Sequence, residues 1–250
     1  MTELITSRTN PRLKELRKLR ERKHRERTGL FLAEGEDMLA AALNHGHVPE
    51  AVYFDPAFAD ALPAALPDAV ERVAVEHDVL TSAGTLGSGS RVVGVWREQW
   101  AELGAGPTLY LHDVADPGNV GTILRAAHAF GAGSVLLSPQ TADPFSPKAV
   151  RGSMGAIFAQ LVTRATWAEA RGASHNAVAL VPGAGSPLRE LEWSVPPLFV
   201  LGAERTGLPA EIVDACDQVA HIALGPAADS LNVAMTATLC LYEYRARSDA

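Results

Sequence analysis

Three short stretches of this 250-residue chain hold polar residues of the right types to do chemistry, each set among small or apolar neighbours. The first is Asp116-Pro-Gly-Asn119 with Arg125 a little further on; the second is Gly202-Ala-Glu-Arg-Thr-Gly207; the third is Ser230-Leu-Asn232. Amide and hydroxyl groups orient a ligand, a carboxylate takes up or orients a donor, and a guanidinium stays charged, so it anchors a phosphate or stabilises a forming anion. Glycines at 202 and 207 let backbone approach a ligand closely. Lys148-Ala-Val-Arg-Gly-Ser153 adds Lys148, Arg151 and Ser153 in a similar small-residue setting. Each stretch also reads as plain local structure: a turn into a helix, a solvated Glu204–Arg205 pair, a capping serine.

The elements that must position these residues alternate between strand and helix. Thr108-Leu-Tyr-Leu-His112 reads as a buried strand, Asn119 as a helix N-cap, Ile123, Leu124, Ala127 and Phe130 as one helical face, and Gly131 as the C-cap. Gly133 to Ser138 is a second strand, and a right-handed crossover makes the pair parallel. Asn119 and Arg125 then lie near the helix start, at the strand's carboxyl end, where open α/β sheets bind ligands. Thr141 to Pro147 reads as an ordered loop, Ile157 to Val162 as a strand, Ala165 to Gly172 as a helix and Ala177 to Val181 as a strand. Leu198 to Leu201 is an apolar strand running into Gly202, and Pro209 opens a helix. Val219 to Leu224 is a strand, Gly225-Pro226 a turn, and Ser230 the N-cap of a helix to about Arg247, with Asn232 in its first turn. Gly183-Ala-Gly185 is a lone GxG without the acidic residue a dinucleotide fingerprint requires.

A smaller α/β domain over 1–98 precedes these elements, with a linker at 99–107 broken by Gly104, Gly106 and Pro107, and the larger domain over 108–250. A helix starts at Asn10-Pro11 and continues through Arg27, with Leu13, Leu16 and Leu19 as its apolar edge. Gly29 to Gly35, Ala51 to Phe54, Val70 to Val75 and Val92 to Trp96 read as strands. Glu36 to His45 and Val79 to Leu86 read as helices, with a short helix between Pro56 and Pro67. Gly87 to Ser90 is the one flexible patch before the linker. Net charge is −7, yet residues 1–29 hold ten Lys or Arg against four Glu, and the rest carries twelve basic against twenty-five acidic residues. A basic segment on an acidic body suits a polyanion partner, with Arg8, Arg12, Lys14, Lys18, Arg22, Lys23 and Arg25, and further on Lys148 and Arg151, offered to phosphates. No apolar run approaches a membrane span or a signal-peptide core, and Cys216 and Cys240 match no metal-ligand spacing, so a reducing cytoplasm is the expected setting.

Taken together, NVGTILRAA at 119–127, LGAERTGL at 201–208 and SLNVAMTA at 230–237 resemble, in this order, the three motifs of the SpoU-type RNA methyltransferases of the SPOUT superfamily. KAVRGSMGA at 148–156 is similar to that family too, and ITSRTNPRLKELRKL…FLAEGEDML resembles the substrate-binding domain many members carry. The resemblance implies a knotted parallel-sheet methyltransferase domain whose C-terminal segments thread a trefoil knot, behind a smaller α/β RNA substrate-binding domain. It implies S-adenosylmethionine held through Leu201, Gly202, Gly207, Ile222, Leu224 and Leu231, mostly by backbone, and no metal. The family's functional polar residues fall on Asn119, Arg125, Glu204, Ser230 and Asn232. Arg125 is proposed as a base in the family, but its chemistry suits phosphate anchoring and alkoxide stabilisation better, with Glu204 and Asn232 orienting it and the ribose. The implied reaction is methylation of a ribose 2′-hydroxyl in structured RNA by a homodimer. Ribosomal RNA is the favoured substrate; transfer RNA, or a non-catalytic RNA-binding dimer on the same fold, is the alternative.

Overall fold

The computed structural model describes residues 4–85, 89–174 and 176–248; Gly87 and Ser88 of the expected flexible patch, and Leu86 at the end of an expected helix, lie outside them. Two compact units divide the chain, one of Met1–Gln99 with Asp143–Ala159, the other of Trp100–Ala142 with Gln160–Ala250. The first unit therefore takes in seventeen residues, 143–159, that the sequence placed in the larger domain.

In the first unit, α1 (Pro11–Lys18) starts where the Asn10 side chain accepts the Arg12 amide at 2.9 Å and Pro11 supplies a preset φ. It buries Leu13 and Leu16. The single helix expected through Arg27 is interrupted at Leu19–Glu21, and α2 (Arg22–Thr28) follows. Arg25 gives the reason. The residue is 2% exposed, and its guanidinium donates to the carbonyls of Leu19 and Arg20, which a continuous helix would have used internally. Then come β1 (Leu30–Glu34), α3 (Glu36–Asn44), β2 (Ala51–Phe54), a 3-10 turn (Pro56–Ala61), β3 (Glu71–Ala74), α4 (His77–Ala83) and β4 (Val92–Arg97). The sheet order is β1-β4-β2-β3, with β2 and β3 parallel and the other pairs antiparallel. Leu32, Val93 and Val95 face a core shared with α1 and α4. Phe31 and Trp96 alternate to the opposite face, where Phe145 and Phe158 approach them with ring centroids 5.0 Å from Phe31 and Trp96 respectively.

The second unit opens with β5 (Thr108–Leu111), α5 (Pro117–Phe130) and β6 (Ser134–Leu137). After α6 (Pro147–Ser153), which belongs to the first unit, it continues through β7 (Val162–Arg164), α7 (Trp167–Gly172), β8 (Ala177–Leu180), β9 (Ser186–Pro187), β10 (Leu198–Leu201), α8 (Ala210–Asp214), β11 (Gln218–His221) and α9 (Val233–Ser248). Seven strands in the order β7-β6-β5-β10-β8-β11-β9 pair in parallel throughout. Strands β6, β8 and β10 are buried at every position, as parallel strands covered on both faces must be. The strand expected over Ile157 to Val162 is corrected. Ile157 and Phe158 sit in a 3-10 turn (Ala156–Phe158) whose apolar side chains serve the first unit, and the strand begins only at Val162. Among the described residues no helix is long and apolar enough to cross a membrane.

Candidate functional site

The parallel sheet brings three loops to one end. Strands β8, β10 and β11 lie side by side, so Leu180, Leu201 and His221 end at the same carboxyl edge. A cleft of about 350 Å³ opens there, walled by Leu180 to Pro182, by Leu201 to Gly207, by Ala220 to Ile222, and by Leu224, Ser230, Leu231, Val233 and Thr236. Its size is that of a small-molecule site.

The loop after β10 is fixed by its glycines. Gly207 has φ +67°, and its amide donates to the Ala203 carbonyl at 2.9 Å, closing a tight turn. Gly202 packs so closely on this turn that a Cβ there would collide with the backbone of Gly207 and Leu208. The third wall rests on Asn232. Its Oδ1 accepts the Ala234 amide at 2.9 Å, so Asn232 caps α9 and stands just before it rather than in its first turn. Ser230, expected to be that cap, is exposed on the cleft wall.

At the start of α5 the cap is likewise a different residue. Asp116 accepts the Gly118 amide at 2.7 Å, and Pro117 occupies the first helical position. Asn119, relieved of capping, spends its amide on its neighbours. Its Nδ2 donates to Glu204 Oε1 at 2.8 Å, and its Oδ1 accepts from Asn232 Nδ2 at 3.0 Å. The Ala115 amide also donates to Glu204, at 3.4 Å. A single hydrogen-bonded chain, Glu204–Asn119–Asn232, thus ties together the loop after β10, the first turn of α5 and the start of α9. Just upstream, Asp113 adopts φ 54°, held there because the Ser138 hydroxyl accepts its amide and donates to its carboxylate.

Arg125 lies in the third turn of α5, exposed and without a hydrogen-bond or ion-pair partner among the described residues. Neither Glu204 nor Asn232 orients it, contrary to expectation; both are occupied by Asn119. All six residues expected to hold the cofactor (Leu201, Gly202, Gly207, Ile222, Leu224 and Leu231) line the cleft, as do Glu204 and Ser230. Asn119, Arg125 and Asn232 are not on its wall. Pro182, Arg205, Thr206, His221 and Thr236 line it without having been singled out as site residues. Thr206 and His221 directly flank residues that were, and His221 holds its ring by a 3.1 Å hydrogen bond from Nδ1–H to the Ala184 carbonyl. The two thiols are poor nucleophiles. Burial pushes Cys216 up to about 11, and Cys240, fully buried, is pushed up further. Among the described residues no group of three or more His, Cys, Asp or Glu is placed to hold a metal ion.

The expected phosphate contacts of the first unit divide sharply. Arg25 is not available: its Nη2 binds Asp143 at 2.6 Å, and both side chains are more than 90% buried. Arg12 pairs with Glu71, Lys18 with Glu15 and Arg22 with Glu26, all exposed. Arg8, Lys14, Lys23 and Arg151 are exposed, with no side-chain partner among the described residues. Lys148 is already engaged.

Comparison with known proteins shows the family. The family model described as SpoU rRNA Methylase family matches residues 106–242, and that of the MRM3-like substrate binding domain matches residues 10–93. An uncharacterized tRNA/rRNA methyltransferase of Synechocystis is 33% identical over 96% of this chain and 93% of its own. The 23S rRNA (guanosine(2553)-2′-O)-methyltransferase of Bacillus subtilis is 30% identical over 96% of this chain and 98% of its own. The crystal structure of an AdoMet-bound rRNA methyltransferase from Sinorhizobium meliloti superimposes with a TM-score of 0.89 at 31% identity, covering 98% of both chains. With the family model matched over residues 106–242, more than half of the chain, the chain belongs to the SpoU rRNA methylase family.

Proposed function

We propose that this protein transfers the methyl group of S-adenosylmethionine to a ribose 2′-hydroxyl of ribosomal RNA. The convergence of Leu201 to Gly207, Ala220 to Ile222, Leu224, Ser230, Leu231 and Val233 on one cleft carries the reading. The cleft fits the cofactor. Its lining includes Leu180, Leu201, Ile222, Leu224 and Leu231, apolar residues suited to an adenine face, and Gly202 leaves no room for a side chain where the loop closes on itself. When bound, the cofactor supplies a methyl group on a sulfonium, an electrophile that needs orientation more than activation.

The chain's own residues do the orienting. Glu204, Asn119 and Asn232 form one hydrogen-bonded chain. It freezes the cleft's mouth and leaves the remaining acceptor and donor capacity of these groups for the ribose. Arg125, exposed and without a partner among the described residues, anchors the RNA backbone and stabilises the alkoxide that develops as the 2′-hydroxyl gives up its proton to solvent water. Arg8, Lys14, Lys23 and Arg151 supply phosphate contacts from the substrate-binding unit. On α9, Met235, Leu239 and Tyr242 are exposed at i, i+4 and i+7, an apolar stripe on one helix face that we assign to contact with a second copy of the chain. We place this reaction in the cytoplasm.

Titration calorimetry of the full chain with S-adenosylhomocysteine tests cofactor binding, and mapping of 2′-O-methyl groups in ribosomal RNA from cells lacking the gene tests the reaction. Micromolar binding and one missing ribosomal methyl group are expected. A folded dimer that binds no adenosyl ligand, or an unchanged ribosomal map beside a missing transfer RNA methyl group, would overturn the corresponding half.

A further inference from the structure

Arg205 is the one Arg or Lys among the described residues that line the cleft. It follows Glu204 directly, so a solvated pair between the two is the obvious assignment. The structure removes it. The Glu204 carboxylate is engaged by the Asn119 amide group and the Ala115 backbone amide, and Arg205 has no hydrogen bond or ion pair with any described residue. The loop that carries it is stiff, because Gly202 packs on the backbone of Gly207 and Leu208, and the Gly207 amide binds the Ala203 carbonyl at 2.9 Å. A permanently charged fork is thus presented at the cleft wall from a fixed loop, with its neighbour's carboxylate hydrogen-bonded to other groups. Such a fork matches a planar or tetrahedral oxyanion with two parallel hydrogen bonds.

We infer that Arg205 is the oxyanion anchor of this cleft. Resting on the function proposed above, two oxyanions come within its chemistry: the carboxylate of the cofactor's methionyl tail, and a phosphate of the RNA flanking the target ribose. The cleft walls offer that oxyanion no other Arg or Lys, while Glu204 beside it repels anions. The guanidinium therefore sets both where the anion sits and that an anion, rather than a neutral group, is taken there.

Arg205→Gln and Arg205→Lys in the full chain decide the assignment. Arg205 is exposed, so both variants should keep the wild-type melting temperature. Calorimetry uses two probes, S-adenosylhomocysteine and methylthioadenosine, which lacks the amino-acid tail. Filter binding to deproteinised ribosomal RNA over a salt series gives the second arm. If the anion is the carboxylate, Arg205→Gln weakens S-adenosylhomocysteine by about tenfold or more and leaves methylthioadenosine unchanged; Arg205→Lys falls between. If it is the phosphate, both adenosyl affinities stay level while the RNA salt slope drops by about one contact. No change in either arm overturns the anchor. A wild-type protein that binds neither adenosyl probe removes the cofactor reading itself, and the RNA arm then decides Arg205 alone.

Discussion

At the scale of single residues, Arg125 decides between two chemistries. A guanidinium stays protonated wherever a protein is folded, so a base there would have to work against its own acidity. Its position, exposed in the third turn of α5 and unpaired among the described residues, suits a charge that meets an incoming anion. Arg125→Ala should lose about 10²-fold or more in single-turnover methyl transfer, as loss of an oxyanion-hole donor does, while cofactor affinity holds. Arg125→Lys should keep a small residual rate at the wild-type pH dependence, because a point charge replaces a fork. An active Lys variant whose pH profile moves downward would instead make this residue the base. These residues were legible in the sequence because their types are unusual in their settings, but their partners were not. Asn119 and Ser230 were read as caps; Asp116 and Asn232 do that work, and Asn119 becomes the centre of the Glu204–Asn119–Asn232 chain. Capping chemistry is shared by Ser, Asn and Asp alike, so residue type cannot say which of several nearby candidates holds the amide.

Among the elements, α1 and α2 show how charge misleads when burial is unknown. The ten basic residues of positions 1–29 read as one solvated, phosphate-facing surface. Arg25 is instead the pin that breaks the helix in two, donating to Leu19, Arg20 and Asp143 from a buried position. Removing it leaves Asp143 as an unpaired buried charge. Arg25→Gln should destabilise the first unit by about 3–5 kcal/mol in urea unfolding, the usual cost of breaking a buried pair from one side. Arg8, Lys14 and Lys23 are its counterpart: exposed, unpaired among the described residues and free to meet phosphates. Changing these three to Gln should leave stability within about 0.5 kcal/mol per site. It should lower the slope of log affinity against log salt for ribosomal RNA by two to three contacts, about 0.7–0.9 per contact. Unchanged slope with intact fold would make α1 and α2 a structural pair only. Strand and helix types were mostly readable from periodicity. The failure at Ile157 to Val162 has a definite cause: an apolar run announces burial, not which core it is buried in.

At the scale of the whole molecule, the boundary that looked simplest is the one the chain does not respect. The first unit is built from two pieces, Met1–Gln99 and Asp143–Ala159, and the second piece brings what the first cannot supply. Asp143 neutralises buried Arg25, and Phe145 and Phe158 cover Phe31 and Trp96 on the sheet face away from the α1 and α4 core. A linker rich in glycine and proline at 99–107 invites a cut there, because composition marks where contacts along the chain are few and is blind to a distant segment that returns. A fragment of residues 1–99 would leave one buried charge unpaired, at about 3–5 kcal/mol, and remove two buried rings, each worth about 3–5 kcal/mol on truncation. That sum reaches the whole stability of an ordinary domain, about 5–15 kcal/mol. Residues 1–99 alone should therefore show no cooperative thermal transition. The same fragment joined through a flexible Gly/Ser linker to residues 143–159 should recover one, with sharp near-ultraviolet circular dichroism from Trp96. Asp143→Asn in the joined fragment should lower its midpoint again. A cooperative transition in residues 1–99 alone, at the midpoint of the joined fragment, would show that the returning segment adds nothing and that the linker is the true boundary.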